Sequence, residues 1–170
     1  MDKEMDVVLR AMTPEDWPQV AEIYRQGIET GLSTLEAEVP PYEKWNQAHI
    51  EGCRIVALID GEIVGWVVLS PVSGRRVYAG VAEVSIYVSE RHRGRKIGEI
   101  LLKALIEASE EAGFWTLQSG IQDANAPSIA LHHKCGFRTV GFRERLGRDK
   151  NGRWWNLLLL ERRSAKNGME

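Results

Sequence analysis

The sequence predicts a single domain of the α/β class, a mixed sheet with helices on both faces, and three observations support this. The chain has 170 residues, the length of one ordinary domain. Its hydrophobic fraction of 44% and charged fraction of 27% are near the globular average, which excludes a disordered or collagen-like chain. Runs rich in β-branched residues alternate with segments whose apolar residues recur every three to four positions, as in a mixed sheet.

The first half of the chain predicts one strand, two helices and then three strands. Thr13 at the N-cap and Pro14 at the first helical position indicate a helix start. Gly27 weakens this helix and Gly31 ends it. Asp60-Gly61 between two apolar runs indicates a tight hairpin turn. The predicted strands are residues 7–12, 54–59, 62–69 and 81–88, the second helix is residues 41–49, and residues 32–41 and 71–77 are irregular.

The second half predicts two more helices and three more strands. Residues 97–111 have a continuous apolar face and stop before Gly113, as an amphipathic helix does. A second helix ends at Gly136. We expect a frayed tail after a core of about 7–164, within one domain of 1–170. The predicted helix is residues 126–135, the strands are residues 115–119, 137–144 and 154–162, the hairpin is 147–152 and the tail is 165–170.

Charge, hydropathy and cysteine count exclude several classes of protein. A net charge of -2 provides no field for bulk binding of nucleic acid. The longest apolar run, residues 63–69, is far shorter than the ~18 residues that span a bilayer, so we expect no membrane partner. The charged start Met1-Asp2-Lys3-Glu4 has no apolar segment behind it, so we expect no secretory signal. Cys53 and Cys135 fit neither a disulfide scaffold nor a metal site, which predicts a cytoplasmic protein without a metal.

The segment from Glu83 to Gly98 carries the strongest chemical signal. A strand runs into a basic turn and then into a long helix, so backbone N–H groups at the helix N-terminus form a site for an anion. A pyrophosphate is the natural ligand class, and a solvated basic turn is the alternative that these residues leave open. A dinucleotide or P-loop site fits poorly, because its glycine motif is missing. The basic residues of the turn are Arg91, Arg93, Arg95 and Lys96.

Arg93-Gly94-Arg95-Lys96-Ile97-Gly98 resembles the acetyl-coenzyme A (acetyl-CoA) pyrophosphate loop of the GNAT N-acetyltransferase superfamily. Lys96 stands where that loop has its middle Gly, and a bulkier residue there can still lend its backbone N–H provided that its φ is not positive. Residues 125–137 are similar to the superfamily's late Asn-x-x-Ser…Gly-Phe segment. The resemblance implies the GNAT fold, a mixed and mostly antiparallel sheet of about seven strands with about four helices. The acetyl-CoA contacts that it implies are Ile86, Tyr87, Val88, Arg93, Gly94, Arg95, Lys96, Ile97, Gly98, Asn125, Ser128 and Lys134.

Three more segments resemble the phosphinothricin and methionine sulfoximine acetyltransferase branch of that superfamily. They are residues 33–36, residues 75–89 and residues 152–164, with Asn156 where the branch often has Asp. Members of this branch acetylate the amino group of phosphinothricin, methionine sulfoximine or methionine sulfone, which detoxifies them, and they usually form homodimers. The substrate contacts that the resemblance implies are Leu35, Glu36, Arg75, Arg76 and Tyr78.

Glu83 and His132 are the candidate catalytic residues. A carboxylate in an apolar strand is costly unless it is exposed, paired or functional. The resemblance makes Glu83 the base that accepts the amine proton, directly or through water. It places His132 where many relatives have a Tyr that protonates the leaving thiolate, although a helix histidine can also pack and hydrogen-bond a carbonyl. Because Cys135 has the character of a small core residue, we expect direct attack of the amine in a ternary complex.

Two other functions stay open at this stage. A GNAT enzyme can act on a polyamine, an aminoglycoside or a protein N-terminus, whereas Arg75 and Arg76 favour an anionic small-molecule amine. The departures from the family pattern at Lys96 and Asn156 suggest a second alternative, a non-catalytic module that binds acetyl-CoA. The presence of Glu83 argues against this alternative. Of the six Trp, four are predicted core residues, and the last two are candidates for pocket or dimer contacts. These are Trp17, Trp45, Trp66 and Trp115, and then Trp154 and Trp155.

Overall fold

The computed structural model describes residues 6–170, in which seven strands and four α-helices follow the predicted order. The N-terminal residues 1–4, on which the absence of a secretory signal was argued, lie outside the described residues. The strands are β1 (Val8–Ala11), β2 (Ile55–Ile59), β3 (Glu62–Pro71), β4 (Val81–Val88), β5 (Thr116–Gln122), β6 (Arg138–Arg148) and β7 (Trp154–Arg163), and the helices are α1 (Trp17–Glu29), α2 (Tyr42–Ala48), α3 (Ile97–Glu111) and α4 (Ala126–Lys134).

All seven strands belong to one sheet, in the order β1-β2-β3-β4-β5-β7-β6. Every neighbouring pair is antiparallel except β4 and β5, which are parallel. This confirms the mixed, mostly antiparallel sheet. The helix α3 forms the connection between the two parallel strands, as such a crossover requires.

Helices cover both faces of the sheet, as predicted, and each face has its own hydrophobic core. On one face, Leu101 and Leu105 of α3 pack with Val67 and Leu69 of β3. Burial of such side chains contributes about 1.5–3 kcal/mol each. On the other face, α1 and α2 pack on β2 and β3. The buried residues of this second core are Val20, Ile23, Tyr24, Ile28, Trp45, Val56, Ile63, Trp66 and Val68.

The predicted helix start is present, but its first turn is a 3-10 helix (Pro14–Asp16) and α1 begins at Trp17. The carboxylate of Asp16 accepts a hydrogen bond from the backbone N–H of Thr13 at 2.7 Å. It also accepts two from the guanidinium of Arg10, at 2.7 and 2.8 Å. This bidentate pair ties the end of β1 to the start of the first helix.

Three predictions for the C-terminal third need correction. Strand β5 ends at Gln122, three residues later than predicted. Strand β6 runs four residues further than predicted because bulges change its register against β7. The second bulge is held by Asn156, whose Oδ1 accepts a hydrogen bond from the N–H of Arg145 at 3.0 Å. The tail does not fray. Asn167 Nδ2 donates to the carbonyls of Glu110 and Phe114 at 2.7 and 2.8 Å, which caps the end of α3.

No helix within residues 6–170 has the length and apolar character needed to cross a membrane.

Candidate active site

The site forms where the parallel strands β4 and β5 part. Their pairing consists of three register positions and ends at Glu83 opposite Gln118. Beyond Glu83, β4 pairs only with β3 as far as Val88, so its edge towards β5 is open. This divergence creates a cavity of about 760 Å³ between β4, β5, α3 and α4.

The basic turn before α3 delivers backbone N–H groups to this cavity. The first intrahelical bond is donated by Ile100 to the carbonyl of Lys96 at 3.1 Å, so the amides of the preceding helical residues point out of the helix end. Lys96 has a φ of +64°, in the left-handed region. The condition that φ is not positive is therefore not met, and this lysine takes the left-handed conformation that favours Gly.

Most predicted cofactor contacts come together here. Arg95 and Lys134 are the exceptions, since neither lines the cavity. Lys134 forms an ion pair at 3.0 Å with Glu99, which does line it. Lys103 and Lys134 together lower the pKa of Glu99 to about 2. The predicted residues that line the cavity are Ile86, Tyr87, Val88, Arg93, Gly94, Lys96, Ile97, Gly98, Asn125 and Ser128, with Leu35, Glu83 and His132.

Gly98 lets α3 and α4 approach each other beside the cavity. A Cβ at this position would lie 3.1 Å from Leu131 Cδ2, which is tighter than ordinary packing contacts. The last Gly of the predicted loop motif is therefore also a packing requirement.

Asn125 links the two walls of the cavity. Its Oδ1 accepts a hydrogen bond from the backbone N–H of Ser128 at 3.4 Å, which caps α4. Its Nδ2 donates to the carbonyl of Leu32 at 3.3 Å, in the loop between α1 and α2. The residue predicted to touch the cofactor thus also positions this loop over the cavity.

His132 lies in α4 and is 1% exposed. Its Nδ1 is 2.7 Å from the carbonyl of Ser128, and a carbonyl can only accept, so Nδ1 carries the proton. Burial lowers the pKa of the ring, and within residues 6–170 no hydrogen-bond partner meets its Nε2. A neutral ring of this tautomer has a lone pair on Nε2, not a proton to donate. The geometry therefore favours the orienting role over the acid role.

Glu83 lies at the junction of this cavity with a second one of about 370 Å³ on the α1–α2 side. Its side chain is half-buried, and among the described residues it has no hydrogen-bond or ion-pair partner. Its carboxylate oxygens are thus unoccupied by protein donors. The residues that line both cavities are Thr34, Glu83, Ser85 and Tyr87.

Part of the wall of the second cavity is aromatic. The rings of Tyr24 and Tyr87 stack with centroids 5.1 Å apart, and Trp66 lies 4.8 Å from Tyr87. Burial raises the pKa of both tyrosines, so their phenols are neutral at pH 7. Its other lining residues are Thr34, Glu36, Pro40, Lys44, Trp45, Ala48, His49, Ser70, Glu83 and Ser85.

The five predicted substrate contacts lie in three different places. Leu35 lines the first cavity and Glu36 the second. Arg75, Arg76 and Tyr78 lie in the connection between β3 and β4, are exposed and line neither cavity. The guanidinium of Arg75 instead stacks over the ring of Tyr78 at 5.3 Å.

Several lining residues escaped sequence reasoning. Lys44 and Gln122 belong to no recognisable motif, and only the fold brings them to the cavities. Thr34 belongs to the segment 33–36, but the resemblance implies no contact for it. The two Trp residues at the start of β7 differ in burial. Trp155 is buried against the first cavity with its Nε1 donating to Asp149 at 3.2 Å, whereas Trp154 is half exposed.

Metal and thiol chemistry find little support in the described part of the chain. No group of three or more His, Cys, Asp or Glu within residues 6–170 could hold a metal ion. Cys135 is buried in the α3 core, and burial raises the pKa of its thiol, which disfavours the nucleophilic thiolate.

The profile of the Acetyltransferase (GNAT) family matches residues 17–137, from α1 to just before β6. The chain belongs to the GNAT acetyltransferase family. A solved GNAT structure, the phosphinothricin acetyltransferase of Sinorhizobium meliloti in complex with acetyl-CoA, superposes with a TM-score of 0.88 at 30% identity. It covers 98% of this chain and 92% of that one.

Two other relatives of this GNAT chain differ in their named acceptors. The L-methionine sulfoximine/L-methionine sulfone acetyltransferase of Pseudomonas aeruginosa is 34% identical over 165 residues, covering 92% of this chain and 94% of its own. The ribosomal-protein-alanine N-acetyltransferase structure from Brucella melitensis has a TM-score of 0.84 at 30% identity, covering 92% and 99%.

The protein is thus an acetyl-CoA-dependent acetyltransferase, and the first cavity fits that co-substrate. The N-terminus of α3, with Arg93 and Lys96, could hold a pyrophosphate. The open edge of β4 beyond Glu83 could pair with the amides of an extended chain, as an added strand would.

Proposed function

We propose that this GNAT enzyme acetylates the amino group of a small amino-acid analogue of the phosphinothricin, methionine sulfoximine or methionine sulfone type. The observation that carries the proposal is the position of Glu83. Its unpartnered carboxylate lines both the cavity that fits acetyl-CoA and the smaller cavity beside it. An amine in the smaller cavity would meet the base and the acyl donor at one place.

In this proposal, Glu83 accepts the proton of the amine, directly or through a water. An α-amino group has a pKa of about 8, so at neutral pH it arrives mostly as the ammonium ion and must lose a proton before it attacks. A half-buried carboxylate without a protein donor suits that task. Acetyl-CoA supplies an activated acyl thioester.

The backbone of β4 and the imidazole of His132 complete the site in this proposal. The open edge at Ile86, Tyr87 and Val88 orients the co-substrate and offers N–H groups to a developing oxyanion. His132 is fixed through its Nδ1 bond to Ser128 and orients groups in the cavity. The inert character of Cys135 supports direct attack in a ternary complex without an acyl-enzyme.

The choice of acceptor class rests on the second cavity and on the relatives. Its volume of about 370 Å³ is that of small-molecule sites, and its lining combines aromatic rings with polar and charged side chains. The similarity to a methionine sulfoximine/methionine sulfone acetyltransferase over nearly the whole chain supports the same class, and with it a detoxifying role. Because the Brucella relative is named a ribosomal-protein-alanine N-acetyltransferase, a peptide with an N-terminal alanine is the alternative acceptor to be tested.

A substrate panel with thioester release as the readout tests the proposal. The panel contains methionine sulfone, methionine sulfoximine, phosphinothricin, spermidine, an aminoglycoside and an alanine-terminated peptide. We expect turnover with the amino-acid analogues and little with the rest. Turnover confined to the peptide, the polyamine or the aminoglycoside would contradict the acceptor class. Tight acetyl-CoA binding without any turnover would contradict catalysis itself.

A further inference from the structure

We propose that Lys44 binds the carboxylate of the acceptor, so that the second cavity selects zwitterionic amino acids with a neutral side chain. The proposal rests on the proposed function and names the feature of the acceptor that the site reads. It replaces Arg75 and Arg76, which line neither cavity, as the source of the positive charge.

Of the ionisable residues described around the second cavity, one is positively charged at pH 7. Glu36 and Glu83 supply carboxylates and Lys44 an ammonium group. Burial lowers the pKa of the His49 ring and outweighs the opposite effect of the hydrogen bond that its Nδ1 donates to the carbonyl of Trp45 at 2.6 Å, so this ring is neutral at pH 7. Tyr24 and Tyr87 are neutral phenols, because burial raises their pKa values. Among the described residues that line this cavity, Lys44 is thus the only positive charge.

The ammonium group of Lys44 is available to a ligand. No residue within 6–170 forms an ion pair or hydrogen bond with it, whereas Lys103, Lys134 and Lys166 are each paired with a glutamate. Its backbone is held in place by the packing of α2. The next residue, Trp45, is 1% exposed and packs on Trp66 with ring centroids 5.9 Å apart, which fixes α2 on the sheet.

The charges of the cavity match those of an amino acid. An α-amino acid carries an ammonium group and a carboxylate on the same carbon, which suits Glu83 and Lys44 at one cavity. A charge-assisted bond to a carboxylate is the strong kind of hydrogen bond. A second anionic group, such as the phosphinate of phosphinothricin, would meet only Glu36 and Glu83. Acceptors with a neutral side chain, such as methionine sulfone, should therefore be preferred over phosphinothricin.

Replacement of one lysine tests this directly. Lys44→Met keeps the length of the side chain and removes its charge, and Lys150→Met makes the same change at an exposed lysine that lines neither cavity. Both are assayed with methionine sulfone and with its carboxamide, which lacks the carboxylate. We expect Lys44→Met to raise the KM for methionine sulfone about tenfold or more, with kcat and the KM for acetyl-CoA unchanged. The KM for the carboxamide should not change, and Lys44→Arg and Lys150→Met should resemble the wild type.

A binding measurement separates this proposal from the proposed function. Methionine sulfone is titrated into the CoA-saturated protein by calorimetry, and we expect Lys44→Met to bind it at least tenfold more weakly than the wild type. Turnover of methionine sulfone with equal KM in both proteins would overturn the role of Lys44 alone. Lys44-dependent binding without turnover would overturn the proposed function alone. Absence of binding to the wild type would overturn both.

Discussion

Lys96 combines a positive charge with a strained backbone at the entrance to α3. A residue with a Cβ in the left-handed region costs about 1–2 kcal/mol relative to the right-handed one. The surrounding turn holds it there, so that the N–H groups of the helix end face the cavity, which Lys96 also lines. The sequence predicts the basic turn and the helix that follows it, but the sign of φ is set by the whole turn rather than by Lys96 itself.

Replacement of Lys96 separates strain from charge. We expect Lys96→Gly to stabilise the fold by about 1 kcal/mol, measured by urea unfolding, because the left-handed conformation costs glycine little. Lys96→Ala keeps the strain and should leave stability near that of the wild type. Both variants should bind acetyl-CoA more weakly if the ammonium group contributes. A loss of stability in Lys96→Gly would contradict the strain.

Asp16 makes stability depend on pH. Its pKa lies below the ordinary value of 3.8, chiefly because the Arg10 guanidinium hydrogen-bonds the ionised form. A lowered folded pKa means that the pair stabilises the protein above about pH 4 and that this contribution is lost as the pH falls further. We expect Asp16→Asn to cost about 1–3 kcal/mol at pH 7, with the difference from the wild type shrinking below about pH 4 in urea titrations. A difference that is constant down to pH 2.5 would exclude the pair as its source.

At the scale of elements, β4 and α3 are predicted with the bounds that the structure shows. Residues 81–88 alternate and residues 97–111 have a clear apolar face, so local pattern and tertiary packing agree. Strand β6 is predicted too short because its extension depends on bulges and on Asn156 across the hairpin. The residue pattern of one strand does not predict its register against the partner strand or the bulges in their pairing.

Helix α1 is pressed against the tyrosine that both cavities share. A Cβ at Gly27 would lie 2.5 Å from Cδ1 of Tyr87. Helix propensity alone predicts that Gly27→Ala gains up to about 1 kcal/mol, whereas overpacking costs about 1–3 kcal/mol. We expect a net loss of stability and a lower melting temperature. The same substitution in a Tyr87→Leu background, where the ring is absent, should be neutral or stabilising. A higher melting temperature for Gly27→Ala alone would contradict the contact.

At the scale of the whole molecule, the two cavities follow from a single topological feature. The parallel strands separate after Glu83. The first cavity lies in this opening beside α3 and α4, and the second lies next to it on the α1–α2 side. The sequence predicts the residues of the first cavity well because they lie in contiguous motifs. It predicts the second poorly, since Lys44 comes from a short helix, Ser70 from β3 and Glu83 from β4.

The edge strand β6 bears on the predicted homodimer. It lies at one end of the sheet order and exposes Val140, Phe142 and Leu146. An exposed apolar edge is unfavourable for an isolated protein unless something covers it. The homodimer stays a prediction that fits this surface, with Trp154 at the end of the neighbouring strand as a further exposed apolar residue.

The central claim is that Glu83 serves as the base between the two cavities, and its most direct test is kcat at pH 7 for Glu83→Gln with methionine sulfone as the acceptor. The account predicts a decrease of about 10², with the KM for acetyl-CoA unchanged, because the amide keeps the shape of the side chain and cannot accept the proton. Glu107→Gln, at an exposed position of α3 away from both cavities, should match the wild type. An unchanged kcat for Glu83→Gln at pH 7 would contradict the claim.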